Sequence, residues 1–391
     1  MSKKNYVMTI PFLLLMGCVS KPVAMVDEGF KTADAQTRVM LEICRDSTRI
    51  PRTVKKDGTV ATVGIKDWTS GFFAGTLWHL YEYTNDEHWK QEAEKWTMGL
   101  EPLRNFTEHH DVGFMVNSSF GNGYRLTNNA MYKEVIVDAA NSLATRYRPA
   151  GGIIQSWDAP LFKNSQCPVI IDNMMNLELL FLAHRLSGDQ KFYNIAVEHA
   201  NHTMMNHYRP DFSSYHVVDY DSVSGEVLRK CTAQGYSDES AWSRGQAWGL
   251  YGYTLCYRET HDKKYLEQAI HIADFLLNHP AFPADGVLYW DFDAPGIPNE
   301  PRDASAACVM ASALIELSGF VEEGSRYLKV AERTLQTLSS SEYLADKENG
   351  HFILRNSVGS APAKSEVSVP LNYADYYYLE ALIRYKNSVN K

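Results

Sequence analysis

Two aspartates stand where apolar helix patterns begin, and both could do acid–base chemistry. Asp172 follows the apolar pair Ile170-Ile171 and precedes a long apolar segment, while Asp111 stands in HHDVGFM. An acid at such a place is either a helix N-cap, for which Asp is favoured, or a catalytic group held against an apolar wall. Two carboxylates that face a sugar are the usual equipment for acid–base chemistry at an acetal. Asp172 and Asp111 are therefore our candidate catalytic residues.

A third helix pattern begins with an arginine between two tryptophans, in SAWSRGQAWG. Arg244 could clamp a substrate carboxylate with two hydrogen bonds, and the alternative is a surface salt bridge. Trp242, Trp248 and Trp157 could stack on sugar rings, although a single tryptophan more often belongs to a core. Since helix N-termini favour anions, a structure that gathers these helix starts would form one pocket.

Composition and charge exclude some classes of protein. The formal charge is −9 and no basic stripe appears, which argues against a nucleic-acid partner but leaves room for an anionic small substrate. His109, His110 and His216 could be ligands, but no histidine or carboxylate spacing typical of a metal site accompanies them. We therefore expect no metal.

The N-terminus has the pattern of an export signal. Lys3-Lys4 precede the apolar run VMTIPFLLLMG, which is too short for a permanent membrane span. The segment 15–18, LMGC, resembles a bacterial lipobox, although Met16 is not the usual small residue, so ordinary secretion stays open. We expect residues 1–18 to be a signal and 19–391 a single domain of an exported bacterial protein. It would be periplasmic or an outer-membrane lipoprotein that meets the membrane only through a lipid on Cys18.

The five other cysteines are scattered and odd in number, with no CxxC pair. That pattern favours buried free thiols over a disulfide framework or zinc. They are Cys44, Cys167, Cys231, Cys256 and Cys308.

Helix-pattern segments alternate along the chain between apolar ones and ones with a polar face. Six helices covered on both sides inside six amphipathic helices form an all-α toroid, the (α/α)6 barrel. The apolar segments lie near 70–84, 111–125, 170–187, 241–260, 303–319 and 369–386. The polar-faced segments lie near 27–47, 86–107, 128–147, 189–207, 262–278 and 322–339.

An internal repeat supports this reading. Five polar-faced helices open after a polar turn with an aromatic residue and, four positions later, a small or aliphatic one, so both lie on one helix face. The period varies from 43 to 73 residues, too irregular for a solenoid. Strand patterns are few: a hairpin within 214–228 and a short strand at 350–355. The segment around Pro51 and Gly58 is predicted to be a polar loop. The pairs are Trp89/Ala93, Tyr132/Ile136, Phe192/Ala196, Tyr265/Ala269 and Tyr327/Ala331.

Several segments resemble the unsaturated glucuronyl hydrolases, glycoside hydrolase family 88. The resemblance runs over essentially the whole mature chain in family order, and RGQAWG is its most specific part. The segments are DWTSGFFAGTLW, HHDVGFM, IIDNMMNLELL, QGYSDESAWSRGQAWGLYGY and NYADYYYLEAL.

The resemblance implies an (α/α)6 barrel and an unusual reaction without a cofactor. The substrate is a lyase-generated oligosaccharide, most often from a glycosaminoglycan, with a C4=C5 double bond in its terminal uronic acid. The enzyme hydrates that bond, the ring opens and the linkage is lost. Asp172 matches the general acid/base, and Asp111 the second aspartate. Matches to pocket positions are Trp157, His216, Gln234, Trp242, Arg244 and Trp248.

One part of the family pattern is incomplete here. Members that accept sulfated sugars carry S-x-x-S-x-K before the last helix, and this chain has Ser365 and Ser368 but Pro370 in place of the lysine. Pro370 could be the first residue of the final helix. Two other functions stay open: an unsaturated rhamnogalacturonyl hydrolase acting on pectin fragments, and a non-catalytic glycan-binding lipoprotein. The sugar next to the uronic acid and the oligomeric state do not follow from the sequence.

Overall fold

Six helices form an inner ring in the computed structural model, which describes residues 21–158, 160, 162–345 and 349–390. Each inner helix contacts the next around the ring, and the last contacts the first. In the N-terminal half of each inner helix nearly every side chain is buried, as expected for helices covered on both sides. The inner helices are α2 (Ser70–Thr84), α4 (Val112–Val116) with α5 (Asn122–Thr127), α7 (Asn173–Ser187), α9 (Ser243–Thr260), α11 (Ala304–Ser318) and α13 (Asn372–Val389).

Six outer helices pack against this ring. In five of them the repeated aromatic and aliphatic pair is fully buried, which confirms that the pair marks the core-facing side. Four begin with an Asp or Asn whose side chain accepts a backbone N–H of the first turn, the ordinary N-cap contact. The outer helices are α1 (Lys21–Ile43), α3 (Glu87–Met98), α6 (Ala130–Ala144), α8 (Gln190–Asn206), α10 (Lys263–Asn278) and α12 (Ser325–Leu338).

The (α/α)6 prediction is confirmed, and two helices differ in detail from the pattern. The segment near 86–107 ends early as α3, and a 3-10 turn follows at Glu101–Asn105, where Pro102 cannot continue an α-helix. The segment near 111–125 is interrupted between α4 and α5 by a π-helical turn, Asn117–Gly121. There the Ser119 hydroxyl donates to the carbonyls of Met115 and Val116.

Short antiparallel strands lie in the loops between helices. The hairpin predicted within 214–228 is present, with Gly225 in the left-handed conformation at its turn. The remaining strands form further short antiparallel pairs. The strands are β1 (Arg49–Val54), β2 (Val60–Gly64), β3 (Tyr147–Arg148), β4 (Ile153–Ile154), β5 (Cys167–Ile170), β6 (Val217–Tyr220), β7 (Val227–Cys231), β8 (Ser357–Ser360) and β9 (Ser365–Val369).

Three local predictions were wrong. The segment expected to be a polar loop forms the β1–β2 hairpin. The pairing register of this hairpin shifts between Pro51 and Thr53, and a strand tolerates proline at such an irregularity. The strand expected at 350–355 is reduced to one isolated bridge between Leu354 and Leu344, and the N–H groups of Ile353 and Leu354 donate to the Asp375 carboxylate. Pro370 precedes the final helix, which begins two residues later.

The five described cysteines are free and buried, which confirms the prediction of buried thiols. No described helix has a stretch long and apolar enough to cross a bilayer. The export signal and its Cys18 lie outside the described residues, so that expectation stays a prediction.

Candidate active site

Asp172 is placed by the junction between β5 and α7. Strand β5 pairs with β6, and the N–H of Ile171 donates to the carbonyl of His216 just before β6. This fixes the backbone beside the first turn of α7. The Asp172 side chain makes no hydrogen bond to that turn. The N-cap alternative therefore does not explain the residue, in contrast to the four outer helices that do use an Asp or Asn cap.

The Asp172 carboxyl group is buried, and one of its oxygens makes no hydrogen bond. The residue is 7% exposed, and Oδ1 has no partner among the described residues. His216 Nε2 lies 3.7 Å from this oxygen. Burial raises its pKa to about 7, Arg244 opposes this and the negative charge of Asp111 adds to it. At neutral pH this carboxyl group is therefore ready either to donate or to accept a proton.

His216 presents a neutral N–H to Asp172. Its Nδ1 accepts the backbone N–H groups of Ala233 and Gln234, at 3.0 and 3.2 Å. An imidazole nitrogen that accepts carries no proton, so the proton is on Nε2. Burial, helped by the charge of Arg244, lowers the pKa of His216 to about 3. The Trp242 ring packs beside it at 4.5 Å between centroids, which holds the imidazole in place.

Asp111 is kept ionised by two histidines. Its carboxylate lies 3.2 Å from His109 Nδ1 and 3.2 Å from His110 Nε2. Burial raises its pKa, but His110, His109 and the Asn176 amide outweigh that effect and leave the pKa below its ordinary value. The two aspartates thus share a site but have opposite pKa shifts, the arrangement that separates an acid from a charge-bearing partner.

Arg244 is 1% exposed, and its guanidinium is already engaged inside the protein. Nη1 donates to Asp303 at 2.7 Å and to the carbonyl of Val358, and Nη2 donates to the carbonyl of Gly359 at 2.7 Å. Nε has no partner among the described residues. The surface salt bridge considered from the sequence is instead a fully buried pair. A substrate clamp that uses both Nη groups would have to displace these contacts.

The predicted tryptophans lie beside Asp172 or beside the histidines that contact the two aspartates. Trp248 is fully buried, and its indole N–H faces Asp172 without closing a hydrogen bond within the usual limits. Trp157 is half-buried, bridges to the backbone of His109 and meets the His110 ring edge-on at 6.2 Å. Gln234 donates from Nε2 to the Gly359 carbonyl at 3.0 Å. The structure therefore brings eight of the ten predicted site residues to one mouth of the ring, at the N-terminal ends of the inner helices.

Comparison with known proteins assigns most of the chain to one family. The family model described as Glycosyl Hydrolase Family 88 matches residues 46–388. The chain belongs to glycosyl hydrolase family 88. A curated relative, the unsaturated glucuronyl hydrolase of Formosa agariphila, is 48% identical over 336 residues, covering 85% of this chain and 83% of the relative. The unsaturated chondroitin disaccharide hydrolase of Streptococcus agalactiae is 35% identical over 371 residues, covering 92% and 91%.

Solved structures agree. A crystal structure of an unsaturated glucuronyl hydrolase specific for heparin superposes with a TM-score of 0.91 at 48% identity, covering 94% of this chain and 98% of that one. This family 88 chain is thus an enzyme, a glycosidase of the unsaturated glucuronyl hydrolase type, and its fold is the toroid that these relatives share.

The two predicted serines of this family 88 enzyme lie on the hairpin β8–β9. Ser365 and Ser368 are exposed on β9, and Ser368 has a left-handed backbone with φ 55°. The structure gives neither of them a contact with the aspartates. The hairpin itself is held down, because Glu366 between the serines makes two hydrogen bonds with Arg52, at 2.7 and 2.9 Å. Arg52 also donates to Asp67 at 2.7 Å.

Several functional neighbours were missed from the sequence. Asn176 lies one turn after Asp172 and accepts the N–H of Phe114 at 2.9 Å, which ties α7 to the helix that Asp111 opens. The sequence did offer one signal for Asn176: it follows Asp172 by four residues, which places both on one face of a helix. Asn173 faces His110 and donates to the Ile154 carbonyl at 2.6 Å. Asp303, the partner of Arg244, had no local signal beyond its place at a helix start.

Proposed function

We propose that this enzyme removes the terminal 4,5-unsaturated uronic acid from lyase-generated glycosaminoglycan oligosaccharides by hydrating the C4=C5 bond. The observation that carries the proposal is the buried Asp172 carboxyl group, with its pKa near 7, beside an ionised Asp111. A general acid works best when its pKa lies near the operating pH. Burial supplies that value here, and the charge of Asp111 adds to it.

In the proposed reaction Asp172 first donates its proton to C4 of the double bond. The resulting carboxylate then takes a proton from the water whose oxygen bonds to C5. The acid form of Asp172 is thereby restored, and the net change is addition of one water across the bond. The hemiketal at C5 rearranges, the ring opens and the linkage to the next sugar is lost.

Neighbouring groups have separate tasks in this proposal. The neutral His216 Nε2–H, 3.7 Å from Asp172 Oδ1, faces the space where substrate or water would meet the acid. Trp242 is 3% exposed and packs against both His216 and the Arg244 guanidinium, so we assign it the positioning of these two groups. Arg244 holds the carbonyls of Val358 and Gly359, so we assign it the positioning of hairpin β8–β9 and a fixed positive charge near the uronate.

The substrate class within glycosaminoglycans is part of the proposal, and the relatives described above support it. Both the curated relative at 48% identity and the heparin-specific structure at 48% identity are unsaturated glucuronyl hydrolases. Pro370 stands where sulfate-accepting members carry lysine. We therefore propose unsaturated heparin-type disaccharides as substrates. Because residue 370 carries no positive charge, any sulfate on them would be held by other groups.

Lyase digests test this function. Purified protein is added separately to lyase digests of heparin, chondroitin, hyaluronan and pectin, and the ultraviolet absorbance of the conjugated double bond is followed. Loss of absorbance with the heparin digest supports the proposal. Loss with pectin fragments alone would favour the rhamnogalacturonyl alternative, and no loss with any digest would reject the hydrolase proposal for these sugars.

We also propose that the chain is exported and carries a lipid on Cys18. The support is the charged and apolar N-terminal pattern before the lipobox-like segment at 15–18. Metabolic labelling with a radioactive fatty acid in a Gram-negative host should label the wild type and not the Cys18→Ser variant. Equal labelling of the two proteins would contradict the proposal.

A further inference from the structure

Asn176, on the first turn of α7, lies where that helix packs tightly against α4. A Cβ added to Gly113 of α4 would come within 2.5 Å of the Asn176 Cα, so only glycine allows this approach. Asn176 is fully buried, and its Oδ1 accepts the N–H of Phe114 at 2.9 Å. Because the amide oxygen is fixed by that contact, the direction of the Nδ2 donor is fixed as well.

The Nδ2 group of Asn176 faces the carboxylate of Asp111. Among the described residues it closes no other hydrogen bond, and buried polar groups normally have a partner. Burial raises the pKa of Asp111, and the Asn176 amide is among the groups that outweigh burial and lower it. Since Asp172 precedes Asn176 by four residues on the same helix face, one rigid segment holds both the acid and a donor for its partner.

His109 supports the charge of Asp111 in full only while it is protonated. Its Nε2 lies 3.1 Å from the Lys66 carbonyl, and its Nδ1 lies 3.2 Å from the Asp111 carboxylate, so donating to both needs two protons. Burial lowers the pKa of His109, the hydrogen bond and charge of Asp111 outweigh burial and raise it, and the charge of Arg146 opposes them. Above that pKa the ring can donate to only one of the two acceptors.

His110 has one proton for two acceptors. Burial lowers its pKa against the charge of Asp111, so the imidazole is neutral near pH 7. Its Nε2 lies 3.2 Å from the Asp111 carboxylate. The amide oxygen of Asn173, which has no other partner among the described residues, also faces the ring. Of the three neighbours of Asp111, Asn176 is therefore the one whose donor does not depend on pH.

We propose that Asn176 is a positioning residue that keeps Asp111 ionised and fixed beside Asp172 as the pH falls. It acts through Asp111 and does not touch the reacting atoms. The inference rests on the proposed function, in which the charge of Asp111 favours the protonated form of Asp172. Without the amide donor, the buried Asp111 should take up a proton at a higher pH, and the site should lose that charge in mildly acidic solution.

The acid side of the pH profile tests this role. Absorbance kinetics with an unsaturated heparin disaccharide give kcat/KM from about pH 4 to about pH 8 for the wild type and for Asn176→Leu, which keeps the branched shape without a polar atom. Activity should fall on the acid side about one pH unit higher in the variant, the shift expected from losing one hydrogen bond to a charged group. The fall towards high pH, set by Asp172, should stay in place.

Asn201→Leu is the matched control. Asn201 lies on α8, and its Oδ1 accepts the Tyr265 hydroxyl at 2.9 Å, so this change also removes an amide from a helix contact but leaves Asp111 untouched. It should leave the acid side of the profile unchanged. Circular dichroism checks the folding of each variant, and Asn176→Val, which also lacks polar atoms, replaces Asn176→Leu if the latter does not fold.

The outcomes separate this inference from the proposed function. Activity that falls at the same pH in the wild type and in the Asn176 variant would overturn the inference alone. The residual activity of Asp111→Asn should show no such fall, whether or not Asn176→Leu is added. A shift that persists in the double variant would belong to another group and would also overturn the inference. No turnover of the disaccharide by the wild type would reject the proposed function and the inference with it.

Discussion

Both mouths of the barrel bury carboxyl groups, but only one leaves such a group without a cationic partner. At the N-terminal mouth, burial raises the pKa of Asp172 to about 7, and the nearby Arg244 is bound to Asp303. At the opposite mouth, burial raises the pKa of Glu316, but Arg384 and Arg258 outweigh it and leave a net lowering. Of these two carboxyl groups, Asp172, which accepts no hydrogen bond from a described guanidinium, is the one whose pKa burial brings to about 7, as the proposed acid–base role requires.

The largest expected effect comes from removing the titratable acid itself. Asp172→Asn keeps the shape but cannot donate or recover the proton, so kcat should fall about 100- to 10,000-fold while the binding affinity for unsaturated disaccharide is kept. Absorbance kinetics and calorimetric binding measure the two quantities. Asp189→Asn is the matched control, because Asp189 caps α8 and Asn caps as well as Asp. Loss of affinity equal to the loss of rate would contradict the assigned role.

Removing a cation at the opposite mouth should cost stability and spare catalysis. Arg258→Met leaves Glu178 without its guanidinium partner and leaves Glu316 with Arg384. Because these pairs are partly exposed, losing their charge-assisted hydrogen bonds should cost about 1.5 kcal/mol of unfolding free energy. Denaturant unfolding measures it. Arg229→Met is the control, since its pair with Asp238 is nearly half-exposed on both sides and should contribute less than about 1 kcal/mol. An unchanged stability of Arg258→Met would show that the network is not needed to offset burial.

The pH dependence should reveal the coupling between the two aspartates. Asp172 must be protonated to act as an acid, so kcat/KM should fall as the pH rises through about 7. The negative charge of Asp111 favours the protonated form of Asp172. Asp111→Asn removes that charge. The fall in its residual kcat/KM with rising pH should therefore occur at lower pH, whereas in Asp189→Asn it should occur at the same pH as in the wild type. If kcat/KM of Asp111→Asn fell at the same pH as that of the wild type, the coupling between the two aspartates would be contradicted.

The smallest expected effect concerns the hairpin beside the site. Glu366→Gln weakens the two-point contact with Arg52, and losing about 1 kcal/mol there should raise KM about fivefold with little change in kcat. Steady-state kinetics on the unsaturated disaccharide measure both constants. Glu239→Gln, which alters an exposed pair with Arg209, should change neither. A fall in kcat with constant KM would instead assign Glu366 to the chemistry.

The sequence predicted the helical layers because their signal is local. Apolar residues repeating with the helical period, and a cap before an aromatic such as Trp89, need no knowledge of the rest of the chain. The helix-opening positions of Asp111 and Asp172 followed from the same pattern. Resemblance to family 88 then supplied pocket residues such as Gln234, whose half-buried amide carries no local signal of function.

The parts that sequence reading missed depend on contacts between distant segments. Arg52 and Glu366 are 314 positions apart, and Asp303 meets Arg244 across 59 positions. No periodicity shows such pairs in advance. The same holds for the strand misplaced at 350–355, because its backbone donors are taken by Asp375 on the final helix.

Product analysis in deuterated water tests the central claim most directly. The wild type is incubated in that solvent with an unsaturated heparin disaccharide, and the released uronic-acid product is examined by NMR. Spectra are recorded during the reaction. We predict that the double bond is lost and solvent deuterium appears at C4 no later than the release of the next sugar, because Asp172 exchanges its proton with water and delivers it there. Free uronic acid that accumulates with its C4=C5 bond intact, and loses the bond only afterwards, would mean attack at the anomeric carbon and would contradict the account.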